Sequence, residues 1–262
     1  MDIVVCIKQV PDTTEVRINP ETNTLVRDGV PSIINPMDEN ALEAALQLRD
    51  QHGGKVVVVT MGPPQAAEAL RTAIAMGADE GYLASDRAFA GSDTWATSYT
   101  LAQAIKKIGT FDLILCGKQA VDGDTAQVGP GIAEWLNLPQ VTFAVKIGAE
   151  PGSKELKVER LLEEVNEIVS IPLPCLITVV KQINEPRLPS LKGMMKAKKA
   201  EIKSLNAQEI SADPANTGLN GSPTKVVKIF SPPPKGGGEM LAGEPSEMAS
   251  ALLGKLKERK LV

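Results

Sequence analysis

The chain has 262 residues, enough to bury one generous core. Its formal net charge is −4 and only 3% of its residues are aromatic, which argues against a general nucleic-acid binder, since that role needs a basic face and rings for stacking. Cys6, Cys116 and Cys175 stand in apolar segments without close spacing and His52 is the single histidine, so zinc knuckles and histidine-based catalysis are disfavoured.

The first segment, "DIVVCIKQV", has the length of a buried strand. It is too short to span a membrane, and an acidic second residue replaces the basic start of a secretory signal. With three thiols expected to be buried and free, a cytoplasmic protein is the expectation. Next comes "MDENALEAALQLRDQ", a helical pattern with Ala41, Leu42, Ala45, Leu46 and Leu48 on one side and Asp38 as its N-cap. "KVVVVTMG" is a second apolar strand. "PPQAAEALRTAIAMG" is a helix with prolines in its first turn and a stop at Gly77. "SDTWATSYTLAQAIKKIG" is another, capped by Ser92 or Asp93 and ended by Gly109.

"FDLILCGK" is a third continuous apolar strand, and a helix "TAQVGPGIAEWLN" is expected after it. Strands alternating with helices predict an α/β fold, a doubly wound, mainly parallel Rossmann-like sheet. From Pro139 onward, "QVTFAVKIG", "ELKVERLL", "NEIVSIPLP" and "CLITVVKQI" are expected to add antiparallel strands. "SPPPKGGGEMLAGEPSE" is an extended linker, and "EMASALLGKLKERKL" an amphipathic helix that needs a surface to lie on.

In such sheets ligands bind where strands end and helices begin, so "TMGPP" and "CGKQAVDGDTAQVGP" belong on one rim. Asp122 and Asp124 have two readings. They cap the helix expected from Thr125, or they frame a nucleotide pocket in which Gly117, Gly123 and Gly129 let the backbone approach, Thr125 and Gln127 offer hydrogen bonds, and the helix N-terminus attracts phosphate. A glycosidase pair needs carboxylates opposed across a substrate, and a calcium loop needs more oxygens than "DGD" supplies. Neither "GxxxxGK[ST]" nor "GxGxxG" is present here, so the pocket is of an adenine-nucleotide type without those fingerprints.

Across nearly its whole length the chain resembles the β subunit of electron transfer flavoprotein. The resemblance rests on "VCIKQVPD", "GVPSIINPMDENALEAAL", "TMGPPQAAEALRTAIAMGAD", "LILCGKQAVDGDTAQVGP" and "NEPRLPSLKGMMKAKKAEI" taken together. Val165 departs from the small or acidic residue usual in the family signature. The resemblance implies a heterodimer with an α subunit that carries electrons between dehydrogenases and an acceptor. It places the nucleotide pocket at Cys6, at Asn35, Pro36, Met37 and Asp38, at Met61, and along the run from Leu113 to Val128. The positions in that run include Leu113, Cys116, Gly117, Gln119, Val121 and Asp122, followed by Gly123, Asp124, Thr125, Ala126, Gln127 and Val128.

Single-flavin members of the family hold AMP in this pocket. Electron-bifurcating members hold FAD there as well, and "SDRAFAGSDTWATS" with "DGDTAQVGP" resembles the second group, with Thr94 and Thr97 offered to the flavin. That group implies NADH as reductant, ferredoxin or flavodoxin as the low-potential acceptor, and an acyl-CoA dehydrogenase reached through the α-subunit FAD. Residues 1–183 form the nucleotide-binding domain in this reading. Residues 184–203 form a partner recognition loop with Leu191 as anchor and Lys196, Lys198 and Lys199 as a basic run. Residues 204–262 form an arm docking on the α subunit. Fold and pocket alone also suit a non-redox nucleotide-binding regulatory module.

Overall fold

The computed structural model describes residues 1–12, 18–19, 24–25, 32–150, 152–228 and 236–262, so residues 231–235 of the expected linker lie outside the described residues. Strands β1 (Ile3–Cys6), β2 (Gln9–Pro11), β3 (Ile18–Asn19), β4 (Thr24–Leu25) and β5 (Ser32–Ile34) precede helix α1 (Pro36–His52). Then come β6 (Val56–Met61), α2 (Ala67–Met76), β7 (Glu80–Ala84), α3 (Thr94–Ile108), β8 (Leu113–Gly117) and α4 (Val128–Leu136). Strands β9 (Gln140–Ala149), β10 (Glu155–Leu161), β11 (Asn166–Pro172) and β12 (Cys175–Val179) follow, then α5 (Leu191–Lys199), β13 (Ile202–Leu205) and α6 (Pro245–Glu258).

Nine strands form one sheet in the order β11-β10-β9-β12-β8-β1-β6-β7-β13. Its pairs from β9 to β13 are parallel, and β10 and β11 add an antiparallel edge. The strands' period of two divides the core cleanly. Ile3, Val5, Leu113, Leu115, Cys175 and Ile177 face α1 and α2, whereas Val4, Cys6, Ile114, Cys116 and Leu176 face α3 and α4. Both faces are covered, which is why these strands read as unbroken apolar runs.

Three expectations change. The run "CLITVV" is not an antiparallel addition: β12 inserts between β8 and β9 and is parallel to both. Strands β7 and β13 went unread; β13 pairs with β7, and α5 packs on α2, where a side chain at Gly193 would collide with the Ala75 carbonyl. Residues 191–205 are therefore built into the sheet edge. Asn35, not Asp38, occupies the cap position of α1, its carbonyl accepting from the N–H groups of Asp38 and Glu39 at 2.8 and 3.1 Å.

Past β13 the chain crosses the start of α3. Ile210 is buried, Asp213 N–H donates to the Tyr99 hydroxyl at 2.8 Å, and Thr224 N–H donates to Asp93 at 2.9 Å. Helix α6 buries none of its residues. Among the described residues no helix is long and apolar enough to cross a membrane.

Candidate functional site

The parallel strands end on one rim, and strand order reverses between β8 and β1, the crevice where open α/β sheets take ligands. Cys6 ends β1, Met61 ends β6 and Gly117 ends β8, while Asn35 to Asp38 open α1 and Thr94 and Thr97 lie in the first turn of α3. The structure thus brings most of the expected positions to one edge. Leu113 is apart from them. It begins β8 at the opposite end of the strand, fully buried among apolar side chains, and offers nothing to a rim ligand. His52 is in the last turn of α1, which starts at the rim, so it is roughly 24 Å away at 1.5 Å per residue.

Between β8 and α4 runs the loop of residues 118–127, with Val121 to Thr125 exposed. Neither aspartate caps α4, which begins three residues later than expected. Asp122 accepts two hydrogen bonds from Lys8 Nζ at 2.6 and 2.8 Å, and Asp124 accepts from the Gln119 side-chain amide. The helix is delayed because Asp124 and Ala126 have φ of 52° and 55°, a conformation no helical turn contains. The Gln127 side chain does not cap either; its Oε1 accepts from the Thr94 hydroxyl at 2.9 Å, tying the starts of α3 and α4 together.

Among the described residues, the backbone N–H groups of Thr125, Ala126, Gln127, Val128 and Gly129 meet no acceptor. Five successive such donors at the positive end of a helix, with left-handed residues among them, make a cradle suited to an anion such as a phosphate group. Gly129 and Gly117 serve close packing within the protein. A Cβ on Gly129 would stand 2.6 Å from Thr178 Cγ2, and one on Gly117 would stand 2.7 Å from the Met37 carbonyl carbon. Gly123 has open space where a Cβ would point, with nothing within 4 Å.

The loop is held from behind by the opening of α1. Asn35 Nδ2 donates to the Gln119 carbonyl at 2.9 Å, and its Oδ1 accepts from Val121 N–H at 3.0 Å. Asp38 is turned inward, where one carboxylate oxygen accepts from Lys8 N–H at 2.8 Å and the other from Gly117 N–H at 3.1 Å. Burial pushes its carboxyl up to about 7, against the opposing pull of those N–H groups, the Asn35 amide and the Lys8 ammonium. Local pattern could not reveal this role, since an acidic residue in a first helical turn reads as a cap.

Cys6 and Cys116 are register partners on adjacent strands and, like Cys175, are free and buried. Contact with Cys6, together with burial, raises the Cys116 thiol well above its ordinary range, and burial lifts Cys175 to about 12, so neither is a thiolate nucleophile at neutral pH. Among the described residues no three metal-ligating side chains cluster. A concavity of about 580 Å³ beside α1 is lined by Glu39, Glu185, Lys181 and neighbouring amides, and shares only Pro36 with the expected pocket. Its carboxylates suit a phosphate poorly.

Of the expected partner residues, Leu191 is 79% exposed at the start of α5. Lys196 is engaged at home, its Nζ donating to the Ala78 carbonyl at 2.9 Å and lying 3.7 Å from Asp79. Lys198 and Lys199 are exposed.

Residues 22–210 match the family model described as "Electron transfer flavoprotein domain". The chain is 54% identical to the caffeyl-CoA reductase-Etf complex subunit CarD of Acetobacterium woodii, with 100% of both chains covered. It is 53% identical to the electron transfer flavoprotein subunit beta of Thermoanaerobacterium thermosaccharolyticum, again over 100% of both. Protein FixA of Azorhizobium caulinodans is 51% identical over 88% of this chain and 85% of its own length. With a parallel sheet whose switch point carries an amide cradle, and relatives matching it end to end, the chain belongs to the electron transfer flavoprotein family as a β subunit.

Proposed function

We propose that this β subunit pairs with an α subunit and holds FAD at the rim between β1 and β8. In that complex NADH is the reductant, and its electrons are divided between ferredoxin or flavodoxin and, through the α-subunit FAD, an acyl-CoA dehydrogenase. The observation that carries the nucleotide site is the run of five N–H groups from Thr125 to Gly129 that meet no acceptor among the described residues. The open space at Gly123 and the exposed stretch before it suit a ligand longer than AMP. The relative named as part of a caffeyl-CoA reductase complex supports an acyl-CoA-type partner.

Bound FAD supplies hydride acceptance and one-electron transfer, so the protein needs no side-chain nucleophile. The chain's part is placement. Amides of Thr125 to Gly129 meet the diphosphate, Asn35 fixes the loop, and the Lys8–Asp122 pair neutralises a carboxylate that would otherwise repel it. Thr94 and Gln127 offer side chains where the two helices begin, and Thr97 lies one turn along. Leu191, Lys198 and Lys199 form the contact for the dehydrogenase, and the arm ending in α6 covers the α subunit, all in the cytoplasm.

AMP in place of FAD is the second reading, because a cradle for one phosphate satisfies AMP equally. Releasing and counting the nucleotides of the α–β complex decides between them. Two FAD per heterodimer is the expected count, and one FAD with one AMP would overturn the bifurcating assignment.

A further inference from the structure

Lys8 follows β1 and Gly117 ends β8, so their N–H groups sit on the two strand ends that border the switch point. One buried carboxylate, Asp38 of α1, accepts from both, at 2.8 and 3.1 Å. Lys8 then reaches past its own backbone to hold Asp122 at 2.6 Å, three residues before the first free amide of the cradle. A continuous chain of contacts therefore runs from Asp38 through Lys8 to the cradle loop, and a second runs through Gly117.

We propose that Asp38 is a positioning residue for the nucleotide: its ionised carboxylate keeps the β1 and β8 ends and the amide cradle in register without touching the ligand, and neutralising it releases the nucleotide. This rests on the nucleotide reading of the rim. An ionised carboxylate accepts from two N–H donors at once, whereas a protonated one gives up an oxygen to its own proton. Burial places that change near neutral pH, about 7. Facing Asp38 are Lys8 from the β1 loop, whose ammonium favours the charged form, and Cys116 from β8, held as the neutral thiol. Its neighbour Glu39 is itself raised by burial.

Two competing effects of pH carry the opposite sign. Through-space repulsion between Asp38 and a phosphate would make binding tighter as Asp38 is protonated. Folding linkage runs the same way: a carboxyl raised from 3.8 to about 7 contributes stability that is present below 3.8 and lost as pH rises through 7. Release on acidification therefore points to the clamp.

The test is FAD binding to the full-length chain by fluorescence titration between pH 8 and pH 6, FAD serving as probe because its diphosphate keeps its charge across that range. Wild type is expected to lose about tenfold in affinity toward pH 6, the equivalent of one charge-assisted hydrogen bond. Asp38→Asn is expected to bind weakly at every pH with a flat profile. Lys8→Met, which removes the opposing ammonium, moves the midpoint to higher pH and serves as the measurement if Asp38→Asn fails to fold. The same slope in Asp38→Asn, an unmoved midpoint in Lys8→Met, or tightening toward pH 6 overturns the inference while leaving the nucleotide site intact. A wild type that takes up neither FAD nor AMP at pH 8 overturns both.

Discussion

Gly129, the second residue of α4, tests whether helix packing sets the cradle. A Cβ there would lie 2.6 Å from Thr178 Cγ2 on β12, whereas ordinary contact begins near 3.4 Å. Thr178 is buried, and its Oγ1 accepts from Phe143 N–H at 3.1 Å, so it cannot swing away without losing that bond. Gly129→Ala therefore pushes the start of α4 outward by about 0.8 Å. Overpacking of this kind costs about 1–3 kcal/mol, offset by up to about 1 kcal/mol of helix propensity, for a net loss of about 0–3 kcal/mol. The functional loss is expected to be larger in proportion, because the shift moves the Gly129 and Val128 amides of the proposed phosphate site. Thr178→Ser removes Cγ2 and keeps Oγ, so the double variant is expected to regain both stability in urea and nucleotide retention. A double-mutant cycle with coupling under about 0.5 kcal/mol in stability and none in retention would refute the packing argument.

Two further outcomes are expected. Lys203 first and Lys55 second hold the Glu80 carboxyl down to about 2, so its contribution is present above 4.5 and lost as pH falls through 2. Glu80→Gln flattens the acid limb of urea midpoints measured from pH 4.5 to 2 and lowers the midpoint at pH 7 by the amount the limb loses, a small amount because the side chain is one-third exposed; an unchanged limb counts against the ion pairs. Leu191→Ala leaves stability and nucleotide content intact, since Leu191 is mostly exposed, and slows reduction at limiting dehydrogenase by about tenfold or more, the worth of burying one leucine in a partner. Equal rates in the two proteins would remove Leu191 from the partner contact.

The sheet centre was legible because β1, β6 and β8 are covered on both faces, and that alone produces unbroken apolar runs. Strand direction was not. Nothing local in "CLITVV" distinguishes an antiparallel neighbour of β9 from a parallel strand inserted between β8 and β9, because that depends on the right-handed crossover through α4. β7 escaped because "EGYLA" is short, half-buried and opens with a glutamate that the structure spends on Lys55 and Lys203. In the site, the glycines were expected to let the backbone approach a ligand, and glycine is also the residue that most readily takes positive φ. The positive φ values fall instead on Asp124 and Ala126, whose neighbours overrule their local preference, while Gly117 and Gly129 are small to let helices close on the sheet. Asp38 reads locally as a helix cap, yet its partners are 30 and 79 residues away in sequence.

A cradle made of backbone donors divides the labour in this loop. In the proposed site, phosphate binding would depend on the path of residues 125–129, and that path is held by Asn35, Asp38 and Lys8 behind the loop and by Thr178 beneath the helix. The exposed side chains at positions 121, 123 and 125, which make none of these contacts, are then expected to vary without loss of the phosphate. What they change is the space beside it, where Gly123 contributes an opening. The choice between AMP and a longer dinucleotide is accordingly a question of what flanks the cradle, and substitutions at Gly123 should alter which nucleotide is retained before they alter whether one is. Lys8 sharpens this division. By pairing with Asp122 it neutralises one of the two carboxylates in the loop, so that a chain of net charge −4 can still present a locally positive helix start to an anion.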